Sequence, residues 1–274
     1  MTDRYCVFGN PIAHSKSPAI HAAFAQLTAE DLTYEARLAP LEGFQDAVAE
    51  FVALGGRGAN VTVPFKEEAF RLCDTLTPRA ARAGAVNTLA FIAGRIHGDN
   101  TDGAGLVADL QENLRCSIAG KKVLLLGAGG AARGVIEPLL AQSPASLMIA
   151  NRSEGKAHEL AQAFADLAAV DGGNFGDLAG KSFDLVINAT SASLSNARLP
   201  LPEGVFSAGA MAYDMMYGKA ETPFLQQARE QGATQCADGL GMLVAQAAEA
   251  FHVWRGVRPP VASVLQALRV ALKQ

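Results

Sequence analysis

A chain of 274 residues in which 50% are hydrophobic and 18% charged can bury a large core and is expected to fold as one large or two modest globular domains. A formal charge of -4 with no basic run argues against nucleic acid as a partner, and no segment offers the about 18 uninterrupted apolar residues of a membrane span. The opening MTDRYCVFGNP lacks the charged start, apolar core and cleavage site of a signal peptide, so a cytoplasmic protein is expected.

RYCVFG reads as a short buried strand. It is followed by the loop GNPIAHSKSPAIH, which places serines, a lysine and histidines either in a surface turn or in a binding site. Pro18 to Leu27 reads as a helix with its proline near the first turn, where the missing N–H costs nothing. From Leu41, the residues Leu41, Phe44, Val48, Phe51 and Val52 fall on one helical face that ends at Gly55-Gly56. GANVTVPF is a strand stopped by Pro64, and NTLAFIAG a further strand leading through a turn to GDNTDG. Residues 104–116 are expected to form a connecting helix. A second unit starts at Lys121 with KKVLLLGAGGAARGVIEPLL, a strand, glycine turn and helix, and continues with the strands SLMIANRS, FDLVINAT and AMAYDMM. Such alternation predicts a parallel sheet. The end is helical, with Leu240, Leu243, Val244, Ala247, Phe251 and Trp254 on one stripe and Val261, Val264, Leu265, Leu268 and Leu272 on another.

Gly127, Gly129 and Ala132 make a G-x-G-x-x-A turn between a buried strand and a helix. The first glycine permits the tight turn, the second lets a pyrophosphate approach the backbone, and the small third residue lets the helix pack close to the sheet. Dinucleotide binding follows. At the end of the next strand, where an acidic residue would accept the ribose hydroxyls of NAD, stand Asn151, Arg152 and Ser153, with Lys156 beyond. These residues suit a 2′-phosphate and hence NADP; the alternative is a solvated Arg and Lys at a helix start. Lys66 and Asp102 follow apolar strands, where ligands gather in open α/β sheets. An ammonium can stabilise a developing alkoxide and donate its proton, although two solvated surface residues would look the same in sequence. Cys6, Cys73, Cys116 and Cys236 are scattered and read as free thiols, and His14, His21, His97, His158 and His252 lack metal-ligand spacing, so no metal is expected.

The series GNPIAHSKSP, NVTVPFKE, GAVNT, GDNTDG, GAGGAARG, NRS, INATS, YDMMYGKAETPFL and DGLGMLVAQAAEAF, in this order and spacing, resembles the shikimate dehydrogenase family along nearly the whole chain. The resemblance implies reversible reduction of 3-dehydroshikimate to shikimate with NADPH, without a metal. It implies Lys66 and Asp102 as the catalytic pair, Ser15 and Ser17 as partners of the substrate carboxylate, and Asn60, Thr62 and Asn87 as partners of ring hydroxyls. It further places Gln246 and Tyr217 at the substrate, and Gly127, Ala128, Gly129, Gly130, Ala131, Asn151, Arg152, Ser153, Lys156, Thr190, Met215 and Gly239 at the cofactor. Gln246 also stands out as polar on an otherwise apolar helix, where a helix-flank residue is the plainer reading. NATSASLS departs from the family's glycine-containing NATSxG form, and Ser153 replaces a threonine while keeping the hydroxyl.

The expected fold is therefore a two-domain α/β protein. Residues 1–103 form an N-terminal α/β substrate domain, 104–236 a Rossmann-type, doubly wound NADP-binding domain, and 237–274 C-terminal helices returning to the substrate domain, with substrate in the cleft between domains. The expected partner is a small-molecule substrate, with no nucleic acid and no membrane, on a monomer or homodimer. Two other readings are a quinate/shikimate dehydrogenase of broader substrate and cofactor range and a non-catalytic NADP-binding regulatory protein.

Overall fold

A computed structural model describes residues 2–192 and 197–273, so the end of the NATSASLS stretch lies outside the described residues. The chain divides into two compact units. The first runs to Gly105 and adds Val244–Ala267; the second is Leu106–Leu243 together with the residues from Leu268 onward.

In the first unit β1 (Asp3–Gly9) leads to α1 (Ser17–Thr28), β2 (Leu32–Leu38), α2 (Phe44–Ala53), β3 (Gly56–Val61) and α3 (Lys66–Leu72). After these come β4 (Thr75–Leu76), α4 (Pro78–Ala83), β5 (Thr88–Ile92), β6 (Arg95–Asp99) and α5 (Asp102–Ala108), which runs on into the second unit. The sheet has the order β2-β1-β3-β5-β6-β4. β1 pairs parallel with β2 and β3, whereas β3–β5 and β5–β6 are antiparallel, so this sheet is mixed. Phe8, Phe44, Phe51, Val61, Phe65 and Leu89 form its core, with Phe44 stacked on Phe65 at 4.9 Å. The helix expected from Leu41 begins only at Phe44: Leu41 lies in the preceding turn and is 66% exposed, and Val52 sits at the rim. The helical spacing of Leu41 was coincidence, because the helix starts only after Gly43.

The second unit begins within α5, which passes directly into a π-helical turn, Asp109–Asn113, so the expected connecting helix starts earlier, at Asp102, and changes pitch midway. Then follow β7 (Lys122–Leu126), α6 (Gly130–Leu140), β8 (Ser146–Ala150), α7 (Glu154–Gln162), β9 (Val170–Gly173), β10 (Phe183–Asn188), β11 (Phe206–Asp214), α8 (Pro223–Glu230) and β12 (Gln235–Asp238). The sheet order is β12-β11-β10-β7-β8-β9, and every pairing is parallel. Val123 and Leu125 enter one core cluster while Leu124 and Leu126 enter another. A strand covered on both faces has to be apolar throughout, which is why VLLL shows no alternation.

The last two helices are α9 (Leu240–Arg255) and α10 (Val261–Lys273). A boundary at 236/237 would cut β12, which is hydrogen-bonded to β11; the second unit instead reaches Leu243 and resumes at Leu268. The C-terminal helices are thus divided between the units. Within the first unit Trp254 of α9 stacks on Tyr5 at 4.6 Å and donates from Nε1 to the Leu89 carbonyl at 2.9 Å. Within the second, Arg269 of α10 pairs with Asp238 at 3.1 Å. Among the described residues, no helix is long and apolar enough to cross a membrane.

Candidate active site

Lys66 is the first residue of α3, held at the carboxyl end of β3 by burial of Phe65 and by a bond from the Val86 N–H to its carbonyl at 2.9 Å. Asp102 opens α5. The short link before it is fastened by Asp99, which accepts from Thr77 and Arg79, and by Asn100, whose amide donates to the Ala85 carbonyl. Burial raises the Asp99 carboxyl, but the Arg79 and Thr77 bonds outweigh it and hold it below the usual carboxylate range.

Lys66 Nζ donates to Asp102 Oδ2 at 2.5 Å, and the Asp102 side chain is only 8% exposed. Its other oxygen, Oδ1, accepts from Asn87 Nδ2 at 2.8 Å, while Asn87 Oδ1 accepts from the Thr101 N–H at 2.9 Å. Gln246 Oε1 accepts from Asn87 Nδ2 and Thr101 Oγ1, both at 3.4 Å. Its helix can come this close because residue 105 is glycine: a Cβ there would lie 2.6 Å from the Gln246 backbone nitrogen. Asn60 Nδ2 donates to the Asn87 carbonyl at 3.1 Å, and its Oδ1 accepts from the Tyr34 hydroxyl at 2.7 Å. Ser17, buried at the start of α1, donates its N–H to Ser15 Oγ at 3.3 Å and lies against Tyr34. Thr62 is half-buried at the end of β3, its N–H on the Phe8 carbonyl. The first unit thus joins Lys66, Asp102, Asn60, Asn87 and Gln246 in one hydrogen-bonded network. An ammonium beside a buried carboxylate can stabilise an oxyanion and pass it a proton.

In the second unit Gly127 has φ +108°, and its N–H bonds the Ala150 carbonyl at 2.8 Å. Gly129 caps α6 with no side-chain partner, and positions 129 and 130 open onto empty space: a Cβ at either would meet nothing within 4 Å. Ala128 and Ala131 flank them half-buried, and Ala132 is fully buried in the core below. This open, uncapped helix start fits a phosphate. Asn151 donates to the Ser153 carbonyl at 3.0 Å, Ser153 caps α7 without a side-chain bond, and Arg152 and Lys156 are exposed beside it. Thr190 donates from both N and Oγ1 to Asn188 Oδ1. Met215 donates to the Asn188 carbonyl at 2.9 Å, and a Cβ on Gly239 would stand 2.2 Å from the Met215 carbonyl oxygen. Tyr217 lies in this second unit, where burial and the Asp238 charge push its phenol above the ordinary value.

Several residues of these networks were missed by sequence reasoning. In the first unit Tyr34 stands in no motif, whereas Thr88 and Thr101 stand inside GAVNT and GDNTDG but were passed over there. In the second, the fully buried Asp214 accepts from Asn188 Nδ2, Thr222 Oγ1 and the Met216 N–H. It stands inside YDMMYG, as Asn188 stands inside INATS, and a buried carboxylate next to a turn could have been suspected from either stretch. No group of three or more His, Cys, Asp or Glu side chains among the described residues is arranged to hold a metal ion.

Comparison with known proteins finds three family models along the chain. Residues 7–89 match the shikimate dehydrogenase substrate binding domain, 109–198 shikimate/quinate 5-dehydrogenase, and 239–269 the shikimate 5′-dehydrogenase C-terminal domain. A shikimate dehydrogenase (NADP(+)) from Dechloromonas aromatica is 72% identical over 99% of both chains. Among solved structures, an Ael1 enzyme from Pseudomonas putida is 48% identical with a TM-score of 0.94, covering 99% of this chain and 100% of that one. Shikimate 5-dehydrogenase from Thermus thermophilus, in complex with NADP(H) and shikimate, is 33% identical with a TM-score of 0.88 and the same coverage.

Proposed function

The chain belongs to the family of NADP-dependent shikimate dehydrogenases, oxidoreductases that interconvert 3-dehydroshikimate and shikimate, and we propose that Lys66 and Asp102 carry the proton chemistry of this reaction in it. The observation that supports this assignment is the 2.5 Å contact between Lys66 and a nearly buried carboxylate that Asn87 holds from its other side. When bound, NADPH supplies the hydride that reduces the carbonyl carbon. Lys66 donates its proton to the oxygen as the negative charge grows there, and recovers one from solvent afterwards. In the oxidative direction it takes the hydroxyl proton. Asp102 orients the ammonium and accepts from the neighbouring substrate hydroxyl.

Ser15 and Ser17 hold the substrate carboxylate at the start of α1, where hydroxyls and a helix N-terminus favour an anion. Asn60, Thr62, Asn87 and Gln246 take the ring hydroxyls. Both Asn60 amide protons are committed, to Asn87 and Thr88, so Asn60 meets a ring hydroxyl as an acceptor. The residues from Gly127 to Ala131 cradle the cofactor pyrophosphate on the open start of α6. Arg152, Ser153 and Lys156 bind the 2′-phosphate, with Asn151 at the ribose, and Thr190, Met215 and Gly239 line the nicotinamide side. We read the protein as a cytoplasmic monomer or homodimer with no nucleic-acid partner.

The match of residues 109–198 to a shikimate/quinate family keeps one second reading, an enzyme that also accepts quinate. Initial rates of reduced-nicotinamide formation, crossing shikimate and quinate with NADP and NAD, decide between them. Turnover dominated by shikimate with NADP is expected. Comparable rates with quinate or NAD would move the protein to the broader enzyme, and none in any combination would remove the catalytic assignment.

A further inference from the structure

Tyr34, on the edge strand β2, is absent from every motif of the chain, yet its phenol sits at the outer end of the network that reaches Asp102. Hydrogen-bond directions in that network are fixed by backbone groups that cannot reverse. The Asn87 carbonyl can only accept, so Asn60 turns Nδ2 toward it and Oδ1 toward Tyr34, whose hydroxyl must donate. The Thr101 N–H can only donate, so Asn87 turns Oδ1 toward it and Nδ2 toward Asp102. Between the two amides stands the fully buried Thr88 hydroxyl. It receives a proton from Asn60 Nδ2 at 3.1 Å and gives its own to Asn87 Oδ1 at 2.9 Å. Every donor along the path from Tyr34 through Asn60, Thr88 and Asn87 therefore points toward Asp102, and Lys66 closes on its second oxygen. Aligned hydrogen bonds polarise one another in a low-dielectric interior.

Tyr34 is well placed to anchor such a chain. Its ring stacks on His21 at 4.1 Å and 6°, with Trp254 tilted against both. His21 is fully buried, and burial holds its imidazole down to about 3, only partly offset by the Asn60 amide beside it, so the stack carries no charge at neutral pH. Burial likewise pushes the Tyr34 phenol well above its ordinary value, the Cys6 thiol on the adjacent strand acting in the same sense and Ser17 against it. The hydroxyl therefore keeps the proton it must donate.

We propose that Tyr34 and Thr88 are positioning residues for the Lys66–Asp102 pair, the two hydroxyl links of a one-directional hydrogen-bond chain that fixes the catalytic carboxylate. The proposal rests on the catalytic reading of Lys66 and Asp102. Tyr34→Phe keeps the stacked ring and removes only the donor. Thr88→Val keeps the shape and removes the hydroxyl, whereas Thr88→Ser keeps the hydroxyl and removes a methyl. For shikimate oxidation, kcat should fall about fivefold to tenfold in Tyr34→Phe and in Thr88→Val, and stay within about twofold of wild type in Thr88→Ser, with KM for NADP unchanged in all three. The double variant Tyr34→Phe/Thr88→Val should be no slower than Thr88→Val alone, because either change opens the same chain. A packing role predicts the reverse order, Thr88→Ser worse than Thr88→Val, and that result would overturn the proposal. So would multiplicative losses in the double variant, or wild-type kcat in Tyr34→Phe. Should Tyr34→Phe fail to fold, as thermal unfolding would reveal, the Thr88 pair reads the same chain one link further in. Wild-type turnover, measured alongside, tests the activity itself: an inactive wild type removes the catalytic reading, whereas an active one with unaffected variants removes only the chain.

Discussion

Around Asp102 the polar groups are side chains bonded to one another: the buried Asn60, Asn87 and Thr101 and the half-buried Lys66 and Gln246. Around Gly129 the helix start has no side-chain cap, a Cβ at 129 or 130 would meet nothing within 4 Å, and Arg152 and Lys156 after the next strand are exposed. The first region is held by its own hydrogen bonds, the preorganisation that the proton transfer proposed for Lys66 needs. The second is an open helix start to which the proposed function assigns the cofactor pyrophosphate, and its residues owe little to each other. A substitution should therefore disturb chemistry or stability in the first region and ligand affinity alone in the second.

The sharpest test of that contrast is Lys66→Ala, which should lower kcat by about 10²–10⁴ while KM for shikimate changes far less. A kcat close to wild type would place the proton donor elsewhere. Arg152→Ala comes next: it should reduce kcat/KM with NADP by about tenfold and leave the value with NAD unchanged, since only NADP carries the 2′-phosphate. Equal losses with both cofactors would mean that Arg152 supports the strand end rather than the ligand. The smallest effects come from a matched pair of glycines. A Cβ at Gly105 collides with the Gln246 backbone, so Gly105→Ala should cost about 1–3 kcal/mol in urea unfolding. Gly129→Ala meets open space and should change stability by less than about 0.5 kcal/mol while raising KM for NADP. Similar unfolding curves for the two would erase the distinction.

How much of this was legible in the sequence depended on where each signal was written. The buried parallel strands and the glycine turn are local patterns, so VLLL and GAGGAARG disclosed both the second sheet and the strand–turn–helix at Gly127–Gly130. β2 escaped because LTYEARL at a sheet edge mixes Glu35 and Arg37 with few apolar residues. β9 and β12 are too short, as VDGG and QCAD, to show any period. Leu41 misled in the opposite direction, its spacing from Phe44 imitating a helix that had not yet begun. Lys66 and Asp102 could be named from their motifs, but their pairing across 36 residues could not be derived from spacing. Tyr34 illustrates the general limit: its importance is a hydrogen-bond direction, set by the Asn87 carbonyl and the Thr101 N–H, and no residue pattern encodes a direction.

The first unit is not continuous in the chain, because Gln246, Phe251 and Trp254 belong to it although the whole of Leu106–Leu243 intervenes. On the ribosome, then, the residues around Lys66 and Asp102 are made first but must wait for the whole of Leu106–Leu243 to be synthesised before Gln246 reaches Asn87 and Trp254 reaches Tyr5. The Rossmann unit lacks only its last helical turns at that moment. A nascent chain therefore acquires the framework that receives the cofactor before it finishes the framework that receives the substrate.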